Sequence, residues 1–177
     1  SRRVADYDPY DLRTLAAKRF IRRARSSPQA DLVAVAGFAG QGGDASWPPL
    51  LQQLPLWVPP NTATVFSADR FAQEAAVDTL RPLVGGTAPV FDALGAALTL
   101  TAAQAPATGR RAVVVLLGGG DDSGLSESQR QAALALLRQQ QADTGIQVVL
   151  IAGRLDVDSV ERRNLAELAA ALRAPII

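Results

Sequence analysis

The sequence predicts an α/β fold built on a doubly wound, mainly parallel central sheet with helices on both faces. Three observations carry that reading. Nearly continuous apolar runs at Asp31–Phe38, Arg111–Leu117 and Ile146–Ala152 have the length and composition of strands buried on both faces. The stretches around them place apolar residues at helical spacing. The two patterns alternate, as they must where parallel strands are joined by crossover helices and not by tight turns.

Taken in order, Asp8-Pro9 opens a helix that runs to about Arg25, with Leu12, Leu15, Ala16 and Phe20 on one face and Arg13, Arg19, Arg22 and Arg23 on the others. Ser26-Ser27-Pro28 ends it, and Asp31–Phe38 follows as a core strand. The Gly-rich turn 39–44 leads into a Pro- and Trp-rich segment, 45–68, which reads as an irregular edge strand with an extended loop, or as an insertion. Ser67 is the expected cap of a helix reaching about Leu80. Gly85-Gly86-Thr87 turns the chain into a further helix, Val90 to about Gln104. After the strand 111–117 comes the turn Gly118-Gly119-Gly120-Asp121-Asp122-Ser123-Gly124. Ser126 then caps a helix with Gln129 in the capping-box position and Ala132, Ala133, Leu136 and Leu137 turned inward. Gly145 stops that helix before the strand 146–152. Val160–Leu172 is a helix with Leu165, Leu168, Ala169 and Leu172 on one face, and Pro175–Ile177 a short edge strand.

Composition narrows the chemistry. At 177 residues, 48% hydrophobic and 20% charged, the chain reads as one globular domain with a substantial core. It holds neither Cys nor His, which removes disulfides, zinc-thiolate sites, cysteine nucleophiles and the commonest general base. A metal would have to be a hard cation held by oxygen: Mg²⁺, Mn²⁺ or Ca²⁺. Residues 1–30 carry Lys18 and seven arginines against three aspartates, so charge concentrates at the front, either as a solvated helix face or as an attraction for an anionic partner. The longest uncharged run, 45–68, contains five prolines and cannot cross a membrane as a helix. No Met occurs anywhere, which predicts an internal fragment or a processed product.

One loop carries a specific pattern. Gly85-Gly86-Thr87, followed after Ala88-Pro89 by Val90-Phe-Asp-Ala-Leu94, resembles the metal-site loop of von Willebrand factor A domains. The likeness covers nearly the whole chain: Asp31–Phe38 resembles the family's second strand, Arg111–Leu117 the fourth, Ile146–Ala152 the fifth, and Leu165–Ile177 the closing helix and strand. It implies a Rossmann-like sheet whose first strand lies upstream of Ser1, so that residues 1–177 form a single domain incomplete at its N-terminus. It also implies a cation site drawn from three loops: Asp-x-Ser-x-Ser, a central Thr, and an Asp usually written Thr-Asp-Gly. On that pattern Thr87 matches, Ser1 falls on the first Ser, Arg3 on the second, Gly118 on the Thr of the third loop and Gly119 on its Asp. Arg3 and the glycines bring no oxygen ligand, and affinity for a hard cation follows ligand number and charge. The expectation is therefore a degenerate site without a cofactor, with Mg²⁺ or Mn²⁺ as the alternative if Thr87 and Ser1 are joined by Asp121 or Asp122 as substitutes.

The function expected from the resemblance is non-enzymatic adhesion or assembly with another protein at the loop rim formed by Thr87, Gly118, Gly119, Gly120, Asp121 and Asp122. Trp47 and Trp57 are either an exposed aromatic contact for that partner or a cover for the sheet edge. A nucleotide-binding loop at 37–43 is a rival reading, but its glycine spacing departs from Gly-x-Gly-x-x-Gly and Pro48-Pro49 stands where the phosphate-binding helix should begin. No nucleic acid is expected, since the basic helix lacks interleaved aromatics.

Overall fold

Two runs without a charged side chain, β1 (Ala112–Leu117) and β2 (Gln147–Ala152), pair in parallel, with Ala112 opposite Gln147 and Leu117 opposite Ala152. Their neighbours are known from a computed structural model, which describes residues 11–25, 31–38, 57–59, 65–80, 88–117, 124–152 and 160–177. Among these residues the chain is mixed α/β. Its helices are α1 (Leu12–Arg25), α2 (Arg70–Leu80), α3 (Val90–Gln104), α4 (Glu127–Thr144) and α5 (Val160–Leu172), and its sheet has two parallel strands.

The parallel pair requires a crossover, and α4 provides it with both ends closed by local chemistry. At its start the Ser126 hydroxyl accepts from the Gln129 N–H while the Gln129 side chain accepts from the Ser126 N–H, a reciprocal capping box as the sequence predicts. At its end Gly145 takes the left-handed conformation at φ 65° and donates to Gln141 O. Arg111 donates to Thr144 O at 2.7 Å, which places a cation on the carbonyl end of α4 beside the start of β1. The helix therefore runs back against the strand direction. β2 is extended at its outer edge by the last residues: Leu150 N–H bonds Pro175 O, Ile177 N–H bonds Leu150 O, and Ala152 N–H bonds Ile177 O, with Leu150 and Ile176 bridged in parallel. This is the expected C-terminal edge segment.

The core lies where α3, α4 and α5 cover these strands. Leu94, Leu98, Ile146, Leu150, Leu168 and Leu172 are its fully buried large side chains. The face expected for α5, Leu165, Leu168, Ala169 and Leu172, is buried throughout.

Four expectations need correction. In α4 the inward stripe passes through Leu134 and Leu137, with Ala133 half-buried, while Ala132 is exposed and Leu136 is 61% exposed. The helix packs against both α3 and α5, so it turns the stripe shared with Arg130 and Gln140 inward; Arg130 reaches Asn164 and Glu167 of α5, and Gln140 reaches Thr99 of α3. In α1 the buried residues are Thr14 and Ile21, and Leu12, Leu15 and Phe20 are 59%, 52% and 48% exposed. Lys18 and Arg22 pair with α2 on the side of the helix that carries the buried Thr14 and Ile21, and the expected apolar face lies away from α2. The N-terminus of α2 is capped by Asp69, whose Oδ1 accepts from the N–H groups of Phe71 and Ala72, whereas the Ser67 hydroxyl accepts from Asp69 N–H one step earlier.

The fourth correction concerns residues 31–38. Among the described residues they form no continuous ladder but two isolated antiparallel bridges, Val33 to Ser67 and Gly37 to Trp57. The partners step back by ten residues while the segment advances by four, so the two bridges share no common register. Gly37 also passes so close to α2 that a Cβ there would stand 2.5 Å from Leu80 Cδ2.

Candidate functional site

Parallel sheets carry ligands at the carboxyl ends of their strands, because backbone groups and loops converge there. In this chain that rim lies beyond Leu117 and Ala152, where β1 and β2 run into residues 118–123 and 153–159. Val90 and Phe91 of α3 share the core cluster with Leu117, and Ala88 packs against it, so the helix that follows Thr87 is tied to the same body as the strand that precedes Gly118. Asp92 is exposed in the first turn of α3 and Ser126 is exposed at the start of α4. Of the residues singled out in the sequence, Ser1, Trp47, Thr87, Gly118, Gly119, Gly120, Asp121 and Asp122 lie outside the described residues. Among the described residues no group of three acidic side chains could hold a metal ion.

Trp57 is the one sequence-selected site residue within the described chain. It is half-buried, and its backbone exchanges two hydrogen bonds with Gly37, at 2.8 and 2.9 Å. Its main chain is therefore committed to the bridge with Gly37. The same pairing bears on the glycine loop 37–43. The N–H of its first glycine is already donated to Trp57 O, and residues 39–43 lie outside the described residues.

A polar feature not foreseen joins α1 to α2. Lys18 pairs with Asp78 at 2.6 Å, and Arg22 grips Glu74 through Nε and Nη2, both at 3.0 Å. Arg70, one turn before Glu74, adds a third contact at 2.6 Å and stacks over the Phe71 ring. The hydrogen bonds from Arg22 and then Arg70, working against partial desolvation, hold the Glu74 carboxyl down to about 2. The hydrogen bond and charge of Glu74 in turn raise the Arg22 pKa. A signal did exist in the sequence: Lys18 and Arg22 are four apart, and so are Glu74 and Asp78, which gives two matched one-turn spacings of opposite sign.

Beside this network a small cleft is lined by Ile21, Asp31, Val33, Ser67, Ala68, Arg70 and Gln73. Gln73 is 1% exposed, and neither its Nε2 nor its Oε1 has a hydrogen-bond partner. Nothing in the periodicity of α2 identified it, because the glutamine occupies the apolar stripe with Ala76 and Val77.

No family model matches this chain, and no curated protein is significantly similar to it. Among the described residues no helix is long and apolar enough to cross a membrane.

Proposed function

We propose that the chain is a von Willebrand A-like interaction domain that presents the rim beyond β1 and β2 to another protein and performs no catalysis of its own. The finer architecture belongs to the same reading: a doubly wound sheet in which 31–38 and the segment ending at Ser67 continue the β1–β2 pair on one side and Ile176 continues it on the other. One observation carries most of the weight. The two parallel strands and the helix that follows Gly85-Gly86-Thr87 share a single apolar cluster, so the start of α3 and the end of β1, the described ends nearest Thr87 and Gly118, belong to one body. The parallel bridge from Leu150 to Ile176 supports the order on the β2 side. With Gly118 and Gly119 bringing no side-chain oxygen, the rim recognises its partner without a cation.

Calorimetric titration of Mg²⁺ and Mn²⁺ into the protein and into Thr87→Ala tests the metal-free reading, and the expected result is no saturable heat from either. Saturable binding lost in Thr87→Ala would replace it with a cation-dependent adhesion site. The partner surface is tested by photo-crosslinking from position 121 on the rim and from Gln139, which lies exposed toward the opposite end of α4. Adducts to a defined protein from 121 and none from 139 are expected; the reverse would sink the rim assignment.

A further inference from the structure

At the rim end of α4 an arginine occupies a place in the buried stripe. Arg130, Leu134 and Leu137 follow one another at helical spacing; the two leucines are buried in the core cluster, and the Arg130 side chain is only 15% exposed. An apolar side chain could fill that position without desolvating a charge, whereas a guanidinium there must keep its donors satisfied. Arg130 does so by spreading over two helices. Its Nη2 donates to Glu127 in the first turn of α4, its Nη1 donates to Asn164 of α5, and its Nε lies 3.4 Å from the Glu167 carboxylate one turn further along α5. Topology places both ends of this link. Arg111, beside the start of β1, donates to the carbonyl end of α4, so the first turn of α4 stands at the carboxyl end of the strands. The chain from β2 through α5 returns to a segment that pairs in parallel with Leu150, so the first turns of α5 stand there too.

We propose that Arg130 is a positioning residue of the rim: it sets the spacing between the starts of α4 and α5, and with it the separation at which the chain re-enters the helices after residues 118–123 and 153–159. The leucines beneath it do not set that spacing alone. Burial of Leu134, Leu137, Leu165 and Leu168 in one core is non-directional and lets two helices splay at an open end, whereas a planar guanidinium fixes distance and orientation together. Glu127 and Glu167 are exposed, so their carboxylates stay hydrated, and the cation and the half-buried Asn164 form the inward part of the link. The purpose of the spacing rests on the rim reading. The spacing itself is measured without a partner, so each can fail without the other.

The test is a pair of spin-label distances in the full chain, which holds no Cys to interfere with labelling. Labels on cysteines placed at Ser128 and Arg163 read the rim ends of α4 and α5, and labels at Gln139 and Ala170 read their opposite ends; all four positions are exposed. Arg130→Met replaces the cation with an apolar side chain and leaves behind only glutamates that water can reach, so the urea midpoint should hold or rise. The 128–163 distance should shift or broaden by about 1 Å or more, while the 139–170 distance stays unchanged. Arg130→Lys should not restore the original distance, because a point charge lacks the fork that holds both helices. Asn164→Ala removes only the anchor on α5 and should move the 128–163 pair in the same direction; it decides alone if Arg130→Met does not fold. A 128–163 distance unchanged in both variants would overturn the proposal. So would full rescue by lysine, or an equal change at both ends of the helices, which marks a general loosening.

Discussion

From Ala88 to Ile177 the described chain is held by one apolar cluster, whereas between Asp11 and Leu80 it is held by ion pairs, two isolated bridges and a few buried side chains outside that cluster. Ile21, Ala76 and Val77 are buried there, but so is an unpartnered amide, Gln73. Apolar burial scales with area and resists salt, while pairs between exposed side chains are screened and contribute little each. The two regions should therefore differ in how they fail: the second half cooperatively, the first at lower denaturant and with sensitivity to acid and salt. A rim built on β1 and α3 gains rigidity from this division, since its supports belong to the cohesive half.

The largest expected effect comes from Leu150→Ala, at a fully buried position on β2 between β1 and the C-terminal segment. Loss of about 2–5 kcal/mol in urea unfolding is expected, with faster exchange spread over α3, β1, β2 and α5 together. Exchange confined to residues near 150 would show that the cluster is not one cooperative unit. Next is Gln73→Met, which replaces an orphaned amide with an apolar side chain of similar length. Stability should hold or rise by about 1 kcal/mol. A loss of that size would mean that water in the cleft beside Ser67 and Arg70 satisfies the amide.

Smaller is Gly95→Ala in α3. A Cβ there would meet Gln140 Oε1 at 3.5 Å and Leu137 Cδ2 at 3.6 Å, ordinary contact distances, so the helix should gain about 0.5–1 kcal/mol without a clash. A lower melting temperature would show that α3 and α4 cannot yield even that space. The smallest effect is read in pH. The folded Glu74 carboxyl lies at about 2, below its ordinary 4.5, so its contribution is fully present above 4.5 and is lost as pH falls toward 2. Glu74→Gln should flatten the fall in melting temperature over that window and leave the cluster of α3–α5 untouched. An unchanged acid profile would remove Glu74 as a source of it.

The parts of this molecule that could be read along the chain are those whose cause is local. Ser126 and Gln129 close a capping box within four residues, Gly145 ends α4 by its own backbone freedom, and the leucines of α5 repeat at a spacing that leaves one face to bury. The candidate rim was legible as residue types in a pattern, Thr87 and the Gly118–Asp122 turn, and those residues lie outside the described ones.

What only the tertiary structure decided depends on neighbours distant in sequence. Lys18 meets Asp78 across 60 residues and Arg22 meets Glu74 across 52, on a helix that buries Thr14 and Ile21 and leaves Leu12, Leu15 and Phe20 exposed against their periodicity. Squeezed between α3 and α5, α4 selects Leu134 over Leu136. Asp31–Phe38 has the composition of a buried strand, yet among the described residues it makes two isolated bridges, because a strand is defined by its partners' hydrogen bonds and not by its composition. Composition and spacing determine which segments are able to be helix or strand. Which side each turns to its neighbours is settled by packing and pairing across the fold.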